Sequence, residues 1–208
     1  MDAPELSGLL VQPIAQRVGA WLANGKLDED DLDATLSSTA RGWLDHSIAA
    51  SDWAPQAELE ELVAIAAEQL GGEAGLVEWA DDIVADWLMN SQLSTLVSGA
   101  QRLVDGPGFI ASQAGEQLLR SSRWTYEGSS GSFSVRLEGA EALGPALKAL
   151  LGACLARLAA EGDKRAFDVR FEGVDDAELV VFGELDDSKT SDEESQVVSR
   201  LYRAALIP

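Results

Sequence analysis

Two residue types that are common in catalytic and metal sites each occur only once in this chain, as His46 and Cys154. A usual zinc site draws its ligands from several His and Cys residues, so one of each cannot build it. A nucleophilic serine on a strand-to-helix turn needs Gly-x-Ser-x-Gly spacing, which the segment Gly128-Ser129-Ser130-Gly131 lacks. We therefore predict no metal site, no catalytic residue and no enzymatic activity. One enzymatic alternative stays open, a pair of carboxylates facing each other across a cleft.

Two other patterns that bind ions or phosphate elsewhere are explained here by helix boundaries. Asp28 and Asp30 are followed by Leu32, which breaks the alternation of acids in a calcium loop, and no central glycine follows. Acidic residues in a first helical turn instead stabilise the helix dipole. The glycines at 71–72 and 106–108 lack the lysine of a phosphate-binding loop, and we interpret them as helix breaks.

The aromatic and thiol side chains on predicted helices favour core positions. Trp79 and Trp87 are eight residues apart and therefore lie on neighbouring parts of one helical face. Such a pair can line a pocket for a flat ligand, but it more often belongs to the core. Cys154 lies on the apolar stripe of a long predicted helix, where a buried thiol has a raised pKa and little reactivity.

The charge of the chain excludes two classes of partner. Asp and Glu total 36 against 15 Lys and Arg, a formal net charge of -21. Nucleic acids and anionic membrane surfaces require a basic face, so we predict neither as a partner. The acidity indicates a soluble or salt-adapted surface, or alternatively a face for a basic partner protein. A single cysteine, an N-terminus without a basic region and no apolar run of about 20 residues predict a cytoplasmic protein.

The hydrophobic pattern predicts an α+β fold in one domain over 1–208. The helical part covers 1–119; one of its helices carries Leu32, Leu36, Trp43, Leu44 and Ile48, and the last spans 110–119. Alternating residues then predict a strand-strand-helix-strand-strand part over 120–185, with a mainly antiparallel four-stranded sheet. We interpret 186–194 as an acidic linker and 195–208 as a C-terminal helix.

Five short segments carry a resemblance to a known fold group. They are Leu70-Gly71-Gly72 before Leu76-Val77-Glu78-Trp79-Ala80, then Phe133-Ser134-Val135-Arg136-Leu137, Leu151-Gly152-Ala153-Cys154-Leu155 and Phe167-Asp168-Val169-Arg170-Phe171. In this order, after a helical first half, they resemble the haem-NO-binding (H-NOX) family. That fold group also contains the vinyl-reductase-type ligand-binding domains.

The departures from the haem sensors of that family concern their cofactor. Those sensors hold haem through a His on the helix before the sheet, which here is 110–119 and contains none. Their Tyr-x-Ser-x-Arg clamp for the haem propionates falls near 133–138, where this chain has Phe133-Ser134-Val135-Arg136. The resemblance therefore implies a haem-free relative without a cofactor.

By analogy with this group, we predict a ligand pocket between the long helix and the sheet. Its predicted lining is Phe133, Val135, Leu147, Leu151 and Cys154. The first hypothesis is a non-catalytic regulatory or sensor domain that binds an apolar small ligand or a partner protein. The alternative is an acidic adaptor that forms a homodimer or binds a basic partner and has no small ligand.

Overall fold

The computed structural model describes residues 5–101, 103, 105–120, 122–129, 131–162, 167–174 and 178–185. Helices dominate up to residue 118 and strands dominate after it, which confirms the predicted α+β class and the helical first half. The predicted linker at 186–194 and the predicted helix at 195–208 lie outside the described residues.

The first part of the chain is built from short and medium helices. They are α1 Gly8–Ala23, α2 Glu29–Thr35, α3 Ser38–Asp45, α4 Gln56–Leu70, α5 Glu73–Asn90, α6 Leu93–Ala100 and α7 Gly106–Leu118. Asp28 caps α2 as expected, with its side chain accepting a hydrogen bond from Asp30 N. The single helix predicted from Leu32 onward is wrong, because Leu36 is extended and the Ser37 side chain caps a new helix at Ala40 N.

A proline inside α1 creates a gap that another helix fills. Pro13 has no N–H, so the Leu9 carbonyl lacks the donor that a residue four positions later normally supplies. The indole Nε1 of Trp87 on α5 donates to this carbonyl at 2.8 Å, and Trp87 is only 2% exposed. This bond satisfies a buried carbonyl and fixes α5 against α1.

Three very short strands join distant parts of the helical half. β1 Glu5–Ser7 pairs antiparallel with β2 Trp53–Pro55 on one side and with β3 Leu119–Arg120 on the other. This sheet could not be predicted from the sequence, since strands of two or three residues are too short to show an alternating pattern.

A four-stranded antiparallel sheet forms the second part, as predicted. Its strands are β4 Arg123–Gly128, β5 Ser132–Glu138, β6 Phe167–Val174 and β7 Glu178–Leu185, in the order β4-β5-β7-β6. The long helix α8 Pro145–Ala160 connects the two hairpins and packs on the sheet. On the face toward α8, Val135 lies opposite Val181 and Leu137 lies opposite Leu179, and all four are buried.

One connected cluster of buried apolar side chains runs through both parts. It includes Leu59 and Leu62 on α4, Leu150 on α8, and Val135 on β5. Because α5, α7 and the sheet all pack against α8, this helix lies at the centre of the described molecule.

Candidate functional site

The five residues predicted to line a ligand pocket all lie in the core around α8. Their exposures are 6% for Phe133, 0% for Val135, 1% for Leu147, 0% for Leu151 and 0% for Cys154. Within the same region, a Cβ added at Gly152 would lie 2.9 Å from Cγ of Phe171 and 3.0 Å from Cδ1 of Leu179. At this point α8 therefore contacts the sheet directly. A pocket lined by the five residues stays a prediction.

Cys154 lies in this closely packed region. Burial raises the pKa of its thiol far above the ordinary range, and the nearby Arg157 opposes that change only in part. A thiol kept neutral in this way is a poor nucleophile, because the thiolate is the reactive form.

The helix α7 lies equally close to the sheet. A Cβ at Gly108 would be 2.9 Å from Cβ of Phe133, and a Cβ at Gly115 would be 2.6 Å from Cε2 of the Trp124 ring. Tyr126 also packs against Gly108, and partial burial followed by the Asp105 carboxylate raises the pKa of its hydroxyl. Two glycines thus let the backbone of α7 contact the aromatic side chains of β4 and β5.

The seam is the contact region between α7 and the sheet, where α7 meets β5 and offers no side chain that binds iron. A macrocycle bound to both would lie between α7 and β5, where Gly108 and Phe133 are already in contact. The sequence of α7, GPGFIASQAGEQL, contains no His, Cys, Met or Tyr that could bind the iron. His46 is exposed at the end of α3, and Arg136 pairs with Glu178 at 3.2 Å in the sheet.

An open cavity of about 570 Å³ lies at the N-terminal end of α8 instead. Its lining mixes apolar and charged residues, namely Glu60, Glu73, Ala142, Leu143, Gly144, Pro145, Lys148, Ala149, Phe171, Gly173 and Leu179. None of the five predicted pocket residues lines it, although Lys148 and Ala149 directly follow Leu147 on α8. The cavity volume lies within the range of small-molecule sites.

The N-terminus of α8 is capped from another helix at one side of this cavity. The N-cap residue is Gly144, which has no side chain to accept a hydrogen bond. Oε1 of Glu60 on α4 accepts a bond from Gly144 N at 2.6 Å and another from Gln56 Nε2 at 2.8 Å. The carboxylate also lies at the positive end of the helix dipole.

The two tryptophans noted in the sequence have different surroundings. Trp87 is a core residue that bonds to α1, whereas Trp79 pairs with Trp21 at 6.5 Å between ring centroids. The guanidinium of Arg17 lies over both of these rings. Sequence reasoning missed Trp21 and Arg17 because the partners of Trp79 come from another helix. The spacing of four residues between Arg17 and Trp21 was the one available signal.

The described residues contain neither a metal-binding cluster nor a membrane-spanning helix. No three His, Cys, Asp or Glu side chains in the described part of the chain converge to hold a metal ion. Among the helices described, none has the length and apolar character required to cross a bilayer.

Comparison with known proteins gives a fold neighbour. Family models do not match the chain, and neither do curated proteins. Among solved structures, a point mutant of the T. tengcongensis H-NOX protein matches with a TM-score of 0.55 and 13% sequence identity. The match covers 88% of this chain and 98% of that chain. At this level of identity the likeness concerns the fold, and the chain has a divergent H-NOX-like fold.

Proposed function

We propose that this chain is a non-catalytic regulatory domain of the cytoplasm that carries no haem and acts by binding a partner protein. The observation that carries the proposal is the seam between α7 and the sheet. There Gly108 and Gly115 contact aromatic side chains of β4 and β5, which fill the space between the helix and these strands. With this interior space filled, recognition moves to the surface, where the net charge of -21 favours a basic partner.

Exposed apolar side chains also support binding at the surface. Met89 on α5 is 75% exposed and Phe109 on α7 is 40% exposed. Methionine and aromatic residues are enriched in protein–protein interfaces, and Phe109 directly follows Gly108 in α7.

Titration with hemin tests the haem-free part of the proposal. We expect no saturable Soret band and no haem mass in native mass spectra of the purified chain after gel filtration. A 1:1 complex that survives gel filtration would contradict the proposal. A denatured sample gives the mass of the bare chain for comparison, and the same native spectra report whether the chain is a monomer or a homodimer.

The cavity at the N-terminal end of α8 favours a second candidate, the binding of a small ligand with an apolar part. Leu143, Phe171 and Leu179 supply its apolar wall, and carboxylates and an ammonium group lie around it. Fluorescence of anilinonaphthalene sulfonate is a direct probe. Ala149→Leu should reduce the enhancement by filling the cavity, whereas Ala57→Leu at an exposed position of α4 should not. Equal enhancement in all three proteins would exclude the cavity as the binding site of the dye.

A further inference from the structure

A groove of about 300 Å³ lies between α1 and α5, and no residue of the seam or of α8 lines it. Its lining consists of Pro13, Gln16, Arg17 and Ala20 from α1 and of Trp79, Asp82, Ile83 and Asp86 from α5. Its functional groups are therefore one aromatic ring, two carboxylates and one cation. Asp82 and Asp86 are exposed, and no described Lys or Arg pairs with either within 4.0 Å.

The cation of the groove lies on aromatic faces. Cζ of Arg17 is 5.6 Å from the ring centroid of Trp21 and 5.9 Å from that of Trp79. One guanidinium therefore lies over both rings. The rings are tilted by 47° to each other, and each tryptophan is only 7% exposed. Tryptophan is the aromatic residue that binds such cations best.

The remaining groups of the groove suit a cation from outside the chain. Without the Arg17 side chain, the groove would present the indole ring of Trp79, which pairs with that of Trp21, beside Asp82 and Asp86. This is the composition that recognises guanidinium and ammonium groups in other proteins. Arg17 is exposed on α1 and has no carboxylate partner among the described residues. Its guanidinium is therefore held by the two rings.

An apolar contact point lies next to the groove on the same helix. Met89 follows Asp86 by three residues, so the two side chains are neighbours on α5, and Met89 is 75% exposed. An exposed flexible thioether suits contacts with varied partner surfaces.

We propose that this groove docks a basic segment of a partner protein, and that an arginine of the segment displaces Arg17 from Trp21 and Trp79. The proposal names the surface and the partner chemistry for the partner-binding function proposed above, and it rests on that function. The acidity of the whole chain attracts basic segments from a distance, and the aromatic pair then selects an arginine.

Calorimetric titration with a short peptide of alternating arginine and alanine tests this at about 0.15 M salt, where surface charges are screened beyond about 8 Å. We expect the double variant Asp82→Asn/Asp86→Asn to bind about fivefold more weakly, which corresponds to about 1 kcal/mol. The control Glu127→Gln/Glu172→Gln removes the same charge from exposed positions of the sheet and should leave the affinity within twofold. Equal weakening by both double variants would overturn the proposal in favour of general electrostatic attraction.

The variant Arg17→Ala separates displacement from simple attraction. It removes the internal competitor, so we expect it to bind the arginine peptide several-fold more tightly, and to prefer it over a lysine peptide of the same length. Tighter binding of both peptides by the same factor would indicate charge alone and would overturn the aromatic part. Failure of every peptide to bind would overturn the docking site, while the hemin titration would still decide the haem-free assignment independently.

Discussion

The close contact between α7 and the sheet makes a quantitative prediction for Gly115→Ala. In a helix interior, replacing glycine by alanine stabilises a protein by about 1 kcal/mol through backbone entropy. At Gly115 the new methyl group would lie 2.6 Å from Cε2 of Trp124. The indole is held by a bond of 2.8 Å from its Nε1 to Ser122 Oγ, so it cannot turn away freely. Overpacking of this kind costs about 1–3 kcal/mol.

A matched control isolates the packing cost. Gly42 lies inside α3, and a Cβ there would meet no atom within 4 Å, so Gly42→Ala should give the backbone gain alone. We expect the free energy of unfolding of Gly115→Ala to be about 1–3 kcal/mol below that of Gly42→Ala. Urea unfolding followed by far-ultraviolet circular dichroism measures both, provided that the m-values agree.

The result bears directly on the haem-free proposal. If Gly115→Ala proved as stable as Gly42→Ala, α7 would have room to move away from Trp124. The reasoning that the seam excludes a flat cofactor would then be refuted. A free energy of unfolding that is lower by the expected amount, together with an unchanged m-value, would support a contact between α7 and the sheet that leaves no gap for a flat cofactor.

Two further predictions concern the Cys154 thiol and the Glu60 carboxylate. Native Cys154 should not react with a thiol reagent until the chain unfolds. Stability should fall as pH rises above about 8.5, because the unfolded thiol ionises there and the buried one does not; Cys154→Ala should remove this part of the pH dependence. Glu60→Ala should lower the free energy of unfolding by about 1–2 kcal/mol by leaving Gly144 N without its acceptor. The control is Glu68→Ala, at an exposed position of the same helix. Equal losses of stability for the two variants in thermal or urea unfolding would contradict the capping role.

The fold could be predicted wherever the residue pattern is long enough to show a period. The alternation in 133–138 and the apolar stripe of 147–158 correctly gave a strand and the long helix. Gly106-Pro107-Gly108 lies at a helix boundary, as interpreted, but these residues form the first turn of α7 and the break between the helices precedes them. Proline is favoured there, and glycine is required at 106 since a Cβ would lie 2.7 Å from the Ala100 carbonyl oxygen.

The candidate sites could be predicted only in part, because their groups come from distant helices. Core positions such as Leu151 follow from periodicity, but periodicity does not show whether a gap lies between them. The Glu60 carboxylate and the Gly144 amide that it caps are 84 residues apart. No local pattern in the sequence connects such groups, and the same holds for Trp21 and Trp79.

The bond between Trp87 and the Leu9 carbonyl has a consequence for how this chain can evolve. While proline occupies position 13, replacing Trp87 by phenylalanine leaves the Leu9 carbonyl without its donor inside the core. If Pro13 is first replaced by alanine, the new amide N–H can take over, and Trp87 becomes free to vary. The two substitutions are therefore tolerated in one order and not in the other. Relatives that lack the tryptophan should also lack the proline, whereas relatives that lack only the proline are expected as intermediates.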